Sequence, residues 1–380
     1  MKKIAEIIRF YSLDEIMKFI EDGGEYPRHH VWCYDQLNAN GFPTEQIEFN
    51  KNSFLNKVGN KILISNLQQQ VNLLKRSKEF DVVYTPFIED VFLLALLRKI
   101  GLFKKPIVGL AFETYIPYKN NFLKKLRQQL LRNIYINGID SLLFYTNYLY
   151  EKNIENGDTN GKQHLSNSFG ADLDFFNEFI ERQTEPPTLD YIYSTGGSGR
   201  DYKTLISAFK QIDFTLKITT KRDLDEQLAK TISPNVIIDN SIVPGLHSVG
   251  LIRKEYYNSL AVAIPTTNYN HHCPVGNTVI MEAFAMGKPV LATRNESYLF
   301  NLEKEKVGFE IDNGDVKGWK DCVNYMIAHP EEAIEMGERA KYLCTKKYNY
   351  KSFSKEIITM INKTRSTKTN VSFSEAKSAI

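Results

Sequence analysis

The sequence alternates short runs rich in β-branched and aromatic residues with helical patterns, and the alternation restarts once after a polar stretch. Strand–helix alternation is typical of parallel sheets whose strands are joined by right-handed helical crossovers. Two consecutive series therefore predict an α/β fold of two Rossmann-like, doubly wound domains that face a cleft. A chain of 380 residues is long enough for two domains, each with its own core.

The polar stretch around Pro186 and Pro187 separates the two series. The predicted strands are 4–10, 45–49, 81–85, 106–112 and 141–145 in the first series, and 191–194, 215–219, 236–239, 262–265, 289–293 and 309–311 in the second. The predicted helices are 28–40, 62–80, 90–100 and 122–136, then 202–211, 254–260, 278–286, 316–328, 331–346 and 351–361. We expect an N-terminal domain over 1–175, a C-terminal domain over 188–348, a terminal helix over 349–362 that packs back toward the N-terminal domain, and a mobile tail over 363–380.

Composition excludes several classes of protein. The chain has 23 Phe, 21 Tyr and 2 Trp, too many aromatic residues for a disordered protein. Its longest purely apolar run, residues 91–97, is far shorter than the roughly 20 residues of a transmembrane helix. The four cysteines are scattered without a Cys-x-x-Cys pair, which favours a reducing cytoplasm over a zinc site or a disulfide framework.

The charge is unevenly distributed, although the net charge is only +3. Residues 51–132 contain 15 Lys or Arg and five acids, so this window carries about +10 and the rest of the chain about −7. Such an asymmetry predicts an anionic partner for one part of the molecule.

Two adjacent glycines, Gly23 and Gly24, precede a predicted helix that begins near Arg28. Paired glycines at such a junction let backbone N–H groups approach an anion at the positive end of a helix. The pattern is neither Gly-x-Gly-x-x-Gly nor a Walker A sequence, which disfavours NAD and P-loop sites. A plain turn is the alternative explanation.

A second loop, Ser-Thr-Gly-Gly-Ser-Gly-Arg-Asp-Tyr-Lys over 194–203, opens the second series. Flexible residues followed by cations at a helix start suit a diphosphate, because backbone donors, helix dipole and side-chain charge converge there. We expect Arg200 to contact this anion, and we interpret Lys203 as a solvated helix residue. A capping turn without a ligand is the alternative.

The third segment, residues 273–293, predicts a loop, an apolar helix that ends at Gly287 and a strand. Glu282 is a carboxylate within this apolar helix, and its burial is costly unless the carboxylate has partners. A vicinal diol such as a ribose offers two donors. A structural network around a buried Glu is the alternative.

Together these segments resemble the GT-B retaining glycosyltransferases, the large "group 1" family of nucleotide-sugar-dependent enzymes. The resemblance covers nearly the whole chain. The two glycines stand where the family has its N-terminal glycine loop, residues 166–172 resemble the turn that closes its N-terminal domain, and residues 196–205 resemble its diphosphate segment. Residues 274–293 resemble its Glu-x7-Glu region and the strand that follows.

The resemblance implies a hexosyltransferase that binds its donor, a nucleoside diphosphate sugar, in the C-terminal domain and its acceptor in the N-terminal domain. It implies no metal and no cofactor other than this co-substrate. Glu282 would hold the nucleotide ribose, and Arg200 would neutralise the donor diphosphate. The donor-binding candidates are Gly23, Gly24, Gly197, Arg200, Asn277, Thr278 and Glu282.

Two positions depart from the family pattern. Pro274 stands where the family has the first Glu of its pair, and Gly197 replaces the family's first arginine. His271 and His272 are therefore candidates for facing the donor sugar, with an ordinary surface role as the alternative for each.

On the acceptor side, Glu25, His29, His30 and Glu113 lie near the carboxyl ends of predicted strands, where doubly wound sheets place ligands. We interpret Glu113 and His30 as candidate catalytic or positioning groups. A packed core position is the alternative for His30.

Residues 121–136 form a predicted basic amphipathic helix that is suited to lie on an anionic bilayer. An ordinary helix on the domain surface is the alternative. No DNA- or RNA-binding motif accompanies the positive charge, so nucleic acid is not an expected partner.

We therefore predict a cytoplasmic glycosyltransferase, with the inner face of a membrane as a candidate location. Its acceptor would be a lipid-linked glycan or a surface polysaccharide. Two alternatives stay open at this stage: a sugar-nucleotide epimerase of the same fold, and a catalytically degenerate subunit. The replacement of the family's first Glu by Pro274 is the main support for the second.

Overall fold

The computed structural model describes residues 3–9, 11–62, 64–111, 122–157, 161–166, 168–220, 232–240, 249–267 and 274–377, with side chains in the last range described to residue 366. The chain divides into two compact units. Unit 1 comprises Met1–Lys18, Val31–Asn167 and Lys351–Ile380, and unit 2 comprises Phe19–His30 and Ser168–Tyr350.

Elements are numbered in chain order over the described residues. The strands are β1 (Lys3–Glu6), β2 (Thr44–Gln46), β3 (Phe80–Thr85), β4 (Ile107–Ala111), β5 (Ser141–Phe144), β6 (Gln163–Leu165), β7 (Tyr191–Thr195), β8 (Thr215–Thr219), β9 (Val236–Asp239), β10 (Ala261–Ile264), β11 (Val290–Thr293) and β12 (Gly308–Ile311). The helices are α1 (Leu13–Glu21), α2 (Tyr34–Ala39), α3 (Phe54–Lys61), α4 (Leu67–Lys75), α5 (Phe92–Lys99), α6 (Phe122–Gly138), α7 (Asn147–Glu155), α8 (Leu173–Glu181), α9 (Tyr202–Phe209), α10 (Val249–Asn258), α11 (Asn277–Ala285), α12 (Val316–Ala328), α13 (Pro330–Lys346) and α14 (Tyr350–Lys377). Short 3₁₀ turns cover Arg28–Val31, Ser77–Glu79 and Ile88–Val91.

Unit 1 is built on a parallel six-stranded sheet with the order β2-β1-β3-β4-β5-β6. All residues of β4 and β5 are buried, as expected for parallel strands covered on both faces. Helix α14 adds the buried side chains of Phe353, Ile357 and Ile361 to this unit, and their spacing of four places them on one helix face.

Unit 2 is built on a second parallel six-stranded sheet with the order β12-β11-β10-β7-β8-β9. Every residue of β7 and β10 is buried, as expected for central parallel strands covered on both faces. The core of this unit includes Leu205, Ile218 and Trp319. Two doubly wound, Rossmann-like α/β units are thus confirmed.

The predicted helix over 28–40 is not continuous. It consists of a 3₁₀ turn and helix α2, separated by Trp32 and Cys33, which have positive φ angles of 49° and 76°. The hydroxyl of Tyr84 donates to the carbonyl of Trp32 over 2.9 Å, and the Trp32 indole donates to the hydroxyl of Tyr11 over 2.9 Å. These tertiary hydrogen bonds stabilise a backbone conformation that local propensity does not predict.

Five elements had no counterpart among the predicted ones, namely α1, α3, α7, β6 and α8. Among the described residues, Cys33, Cys322 and Cys344 form no disulfide, and Cys273 lies outside the described residues. Across the part of the chain that the structure describes, no helix combines the length and the apolar character needed to cross a membrane.

Candidate functional site

The loops that follow β7 and β10 lie side by side at the carboxyl edge of the sheet in unit 2. The strand order reverses between these two neighbours, because β8 and β9 extend from β7 whereas β11 and β12 extend from β10. The N–H of Asp201 donates to the carbonyl of Pro265, and the N–H of Thr267 donates to that of Gly199, each over 3.0 Å. Open α/β sheets bind ligands in the crevice at such a switch point.

Arg200 is held within the loop after β7 by the backbone of that loop. Its Nε donates to the carbonyl of Thr195 over 3.0 Å, and its Nη1 donates to that of Ser198 over 3.3 Å. A Cβ at Gly196 would lie 2.6 Å from Nη2 of Arg200, and Gly196 has a φ of 110°, a conformation that favours glycine. The arrangement fixes a half-buried positive charge at the switch point.

Gly197, the next predicted donor-binding residue, faces open space. A Cβ built there would meet no atom of the described residues within 4 Å, and the φ of Gly197 is not in the left-handed region. A ligand could therefore approach the backbone of this residue closely.

Asn277 and Thr278 begin α11 at the same edge of the sheet. The Asn277 side chain is buried, donates to the carbonyl of Ser297 over 3.0 Å and accepts from the N–H of Leu299 over 3.1 Å. Its side chain therefore anchors a neighbouring loop. The two residues stand at the N-terminus of a nine-residue helix, where first-turn N–H groups have no acceptor within the helix. The N–H of Asn277 donates to the carbonyl of Pro274 over 3.3 Å.

Glu282 lies on α11 within a cluster of polar side chains of unit 2. The Tyr256 hydroxyl donates to Oε2 over 2.8 Å, while Nε2 of His29 and Nε2 of His30 lie 3.3 and 3.5 Å from Oε1. Burial alone would raise the pKa of Glu282, but the hydrogen bonds from His29 and His30 outweigh it, and its pKa is well below the ordinary value. The carboxylate is thus ionised and held by protein donors.

The hydrogen bond at Nδ1 determines the tautomer of His29. The backbone N–H of Asp172 donates to Nδ1 over 3.1 Å, so the ring proton is on Nε2 and is donated to Glu282. Burial and the proximity of His30 lower the pKa of His29, which keeps the ring neutral despite the opposing effect of Glu282.

His29, His30 and Glu282 also have ligand atoms within 4.8 Å of one another, close enough to hold a metal ion. A neutral imidazole has one ring nitrogen with a free lone pair and one that carries a proton. In His29 the lone pair is on Nδ1, where it accepts the Asp172 N–H, so Nε2 carries the proton and has no lone pair for a metal. In this tautomer His29 is a hydrogen-bond donor to Glu282, and the cluster is a hydrogen-bonded network.

Gly23 and Gly24 follow a helix that the sequence did not predict. The N–H of Gly23 donates to the carbonyl of Ile20 over 3.1 Å, and that of Gly24 donates to the carbonyl of Phe19 over 2.8 Å. This is the Schellman pattern at the end of α1, with Gly23 at a φ of 87°. The N–H groups of Gly23 and Gly24, which the sequence predicted to contact a diphosphate, are hydrogen-bonded to carbonyls of α1. Binding of the donor at these glycines would therefore have to use atoms other than their N–H groups.

Glu25, an acceptor-side candidate in the prediction, belongs to unit 2 and forms an ion pair there. Its Oε2 lies 2.6 Å from Nη2 of Arg253, whose side chain is almost fully buried. The Arg253 guanidinium also donates to the carbonyl of Phe175 over 2.9 Å and stacks on that ring at 4.0 Å. Together with the Asp172 contacts, this pair attaches the segment Phe19–His30 to the rest of unit 2.

Three predicted site residues, Glu113, His271 and His272, lie outside the described residues. The sequence reasoning also missed groups that the structure reveals. Tyr256 and Arg253 are examples, since a Tyr or Arg inside a predicted helix carries no signal of its tertiary partner.

No protein-family model matches the chain, and no curated protein matches it in sequence. Solved structures match it in fold. HepE from Anabaena in complex with UDP-glucose is 13% identical, with 96% of this chain and 100% of that one covered and a TM-score of 0.64. Sucrose-phosphate synthase from Thermosynechococcus elongatus is 13% identical over 96% and 99% of the two chains, with a TM-score of 0.66. A glycosyltransferase from Rickettsia africae is 13% identical over 96% and 98%, with a TM-score of 0.59. The fold is that of the two Rossmann-like domains of GT-B proteins.

Proposed function

We propose that the chain is a glycosyltransferase that moves a sugar from a nucleoside diphosphate sugar to a hydroxyl acceptor. The observation that carries the proposal is the switch point of unit 2, where the Arg200 guanidinium and the N-terminus of α11 stand at one sheet edge. A diphosphate is bound by such a combination of a cation and unpaired N–H groups. The fold supports the proposal, since HepE was solved with UDP-glucose and the Rickettsia protein is a glycosyltransferase.

In the proposed reaction, the bond between the anomeric carbon and the diphosphate breaks and the acceptor oxygen bonds to that carbon with the anomeric configuration retained. The proton of the acceptor hydroxyl passes to the departing diphosphate. Negative charge grows on the leaving diphosphate, and preorganised donors lower the barrier by stabilising that charge. We assign this role to Arg200 and to the backbone N–H groups of Gly197 and Thr278. Because these groups supply the positive potential, we propose that transfer needs no metal ion and continues in EDTA.

Glu282 is proposed to hold the nucleotide ribose. A carboxylate offers about four acceptor positions; Tyr256 uses one on Oε2, and His29 and His30 both approach Oε1. The further position on Oε2 suits a ribose hydroxyl, and the hydrogen bonds from the protein fix the carboxylate in place beforehand.

Calorimetry with UDP and with 2′,3′-dideoxy-UDP tests the ribose assignment. UDP is the first probe because HepE, which shares the fold, was solved with UDP-glucose. We expect the wild type to prefer UDP at least tenfold and Glu282→Gln to lose most of that preference, whereas Lys203→Gln, on the exposed face of α9, keeps it. An unchanged preference in Glu282→Gln would mean that the ribose binds elsewhere.

Purified protein and a panel of nucleoside diphosphate sugars test the activity itself. A donor at 100 times its Kd should stabilise the chain by about 2.7 kcal/mol, and nucleoside diphosphate should be released when an acceptor is present. Arg200→Gln should abolish both effects, with Lys203→Gln again as the matched control. Donor binding without any release would indicate a degenerate subunit, and no donor binding at all would refute the proposal.

We further propose that the acceptor is a lipid-linked glycan or a surface polysaccharide, and that unit 1 docks on the inner face of an anionic membrane. The support is helix α6, on which Phe122, Leu126 and Leu130 are 76%, 53% and 58% exposed at a spacing of four residues. Lys125 and Arg127 are exposed beside them. An apolar stripe with flanking cations suits the interface of an anionic bilayer.

Liposome sedimentation tests the membrane proposal. Binding to anionic vesicles should fall with salt, with Leu126→Ser and with removal of charge at Lys125 and Arg127. Lys75→Gln, which changes an exposed cation at the end of α4, should leave it unchanged. Equal binding by all variants would argue against α6 as the contact.

A further inference from the structure

The loop after β11 places a buried tyrosine at the N-terminus of α11. Tyr298 lies in this loop, and 5% of its surface is exposed. The Asn277 side chain fixes the loop through its hydrogen bonds to Ser297 and Leu299, the neighbours of Tyr298 on either side. A Cβ built on Gly276, the residue before α11, would lie 3.6 Å from the Tyr298 hydroxyl oxygen. The hydroxyl is therefore next to the helix end at the switch point of unit 2.

The Tyr298 hydroxyl is buried and forms no hydrogen bond with any described residue. Burial raises the pKa of Tyr298 to about 12, although the Thr266 hydroxyl and the charge of Arg200 act to lower it, so the phenol keeps its proton at neutral pH. The Thr266 N–H donates to the Thr293 hydroxyl over 2.9 Å, but apart from Tyr298 no described residue is placed to accept from the Thr266 hydroxyl. Two O–H hydrogens therefore meet here, and whichever way they point, at least one lacks an acceptor. Such a group is costly, because it has given up its hydrogen bonds to water.

Arg200 supplies positive potential to these two hydroxyls. Its backbone pairs with that of Thr266 in an isolated β-bridge, and its charge affects the pKa of Tyr298 more strongly than Glu310, the other charged group that acts on it. Glu310 pairs with Arg294 over 3.1 Å. Arg200 forms no ion pair with a described residue, since the hydrogen bonds of its guanidinium go to backbone carbonyls. Its positive charge therefore stands beside hydroxyls that lack an acceptor.

The groups that meet at this point are all hydrogen-bond donors. They are the hydroxyls of Tyr298 and Thr266, the guanidinium of Arg200 and the first-turn N–H groups of α11. A water molecule or a sugar hydroxyl would bring hydrogens of its own to a place that is already short of acceptors. A phosphate oxygen brings only acceptor positions and negative charge, and both guanidinium groups and helix N-termini bind it. The set of groups therefore fits a phosphate.

We propose that the Tyr298 hydroxyl donates to a phosphate oxygen of the bound nucleoside diphosphate sugar. The inference rests on the proposed function, because it adds a residue from a further loop to the donor site assigned there. Negative charge on the diphosphate grows as the sugar leaves, so this hydrogen bond strengthens during the reaction and Tyr298 contributes to transfer as well as to binding. A hydrogen bond to a charged group is worth roughly tenfold or more in affinity.

Calorimetry on Tyr298→Phe tests the contact, because this variant keeps the ring and removes only the hydroxyl. The probes are the nucleoside diphosphate that the wild type binds most tightly, with UDP tried first, and the same nucleoside without phosphates. We expect Tyr298→Phe to bind the diphosphate at least about tenfold more weakly and the nucleoside with unchanged affinity. Tyr257→Phe is the matched control, since the Tyr257 hydroxyl donates to the carbonyl of Glu185 over 2.9 Å at the opposite edge of the sheet. It should bind both probes as the wild type does.

The outcomes separate this inference from the proposed function. Equal diphosphate affinity in the wild type and Tyr298→Phe would refute the contact and leave the proposed function standing. Parallel losses for the diphosphate and the nucleoside would mean that the hydroxyl serves the nucleoside or the shape of the site, and would also refute the contact. If the wild type bound no nucleoside diphosphate, the proposed function would fail and the role of Tyr298 with it.

Urea unfolding supplies a readout that a structural role would move in the opposite direction. Without ligand, Tyr298→Phe should unfold at the same urea concentration as the wild type or at a higher one, because it removes a buried O–H that no described residue accepts. With saturating diphosphate, the added stability should be smaller in the variant than in the wild type. A lower midpoint without ligand would show that the protein itself supplies the acceptor, and would overturn the proposal.

Discussion

Replacing Asp90 by Asn should change how the free energy of unfolding of unit 1 depends on pH. Asp90 lies in the 3₁₀ turn after β3, next to the place where the strand order of unit 1 reverses. Its side chain is fully buried, and Oδ1 lies 2.9 Å from Nε of Arg9. Burial raises the pKa of Asp90 to about 7, although Arg9 acts to lower it.

The sign follows from proton binding. An Asp in the unfolded chain titrates near pH 3.9, so between about pH 4 and pH 7 the folded state keeps a proton that the unfolded state has lost. The free energy of unfolding therefore falls as pH rises through this window and levels off above it. A shift of about three pKa units, at 1.36 kcal/mol each, corresponds to about 4 kcal/mol.

The two tryptophans of the chain allow this to be measured in one unit at a time. Trp32 lies in unit 1 and Trp319 in unit 2, so a Trp319→Phe background leaves a fluorescent reporter in unit 1 alone. Urea unfolding between pH 4.5 and pH 8.5 covers most of this window, so Asp90→Asn should gain about 3 kcal/mol on the background as pH rises. Glu15→Gln, at an exposed position on α1, should run parallel to the background. If Asp90→Asn also ran parallel, Asp90 would not hold a proton in the folded chain and the reasoning would be refuted.

Four further predictions concern unit 2. A Cβ at Gly170 would lie 1.9 Å from a backbone carbonyl oxygen, so Gly170→Ala should lower the free energy of unfolding by about 3 kcal/mol or more. Gly197→Ala, with open space around it, should stay within about 1 kcal/mol in the same urea titration. Arg253→Gln removes a buried guanidinium and should cost about 2 kcal/mol, yet a double-mutant cycle with Glu25→Gln should give a coupling below about 1 kcal/mol because Glu25 is half exposed. Nitrogen NMR should find His29 as the neutral Nε2–H tautomer between roughly pH 6 and 8, with EDTA having no effect; a protonated ring or the Nδ1–H form would contradict the network around Glu282.

The sequence predicted the central strands well because they are buried on both faces and leave continuous apolar runs. Strands β4 and β10, predicted over 106–112 and 262–265, run over Ile107–Ala111 and Ala261–Ile264 and agree with the prediction to within one residue at each end. Edge strand β6 has the sequence Gln-His-Leu and is only three residues long, so it has no such run. Helices α1 and α7 are nine residues each and lie in segments that a pattern search takes as connections.

The candidate site divides along similar lines. The loop after β7 and the start of α11 were recognisable because glycines with positive φ and a helix start leave local signals, as at Gly196 and Gly276. The partners of Glu282 left none. Tyr256 and His29 are 26 and 253 residues from it in the chain, and distances of that kind are set by the topology of the fold.

The assignment of Phe19–His30 to unit 2 has a consequence for how the chain is made. Neither unit is a continuous stretch of sequence, because Met1–Lys18 and Lys351–Ile380 both belong to unit 1. At a synthesis rate of roughly 5–20 residues per second, tens of seconds pass between the synthesis of β1 and that of α14, the helix that completes the core of unit 1. A fragment limited to Ser168–Tyr350 would also lack His29, the N–H donor at Arg28 and the carboxylate of Glu25, and would expose Glu282, Asp172 and Arg253 to water. We expect separately expressed units to require the short segment as an added peptide, and a circular permutant to fold more readily than either piece.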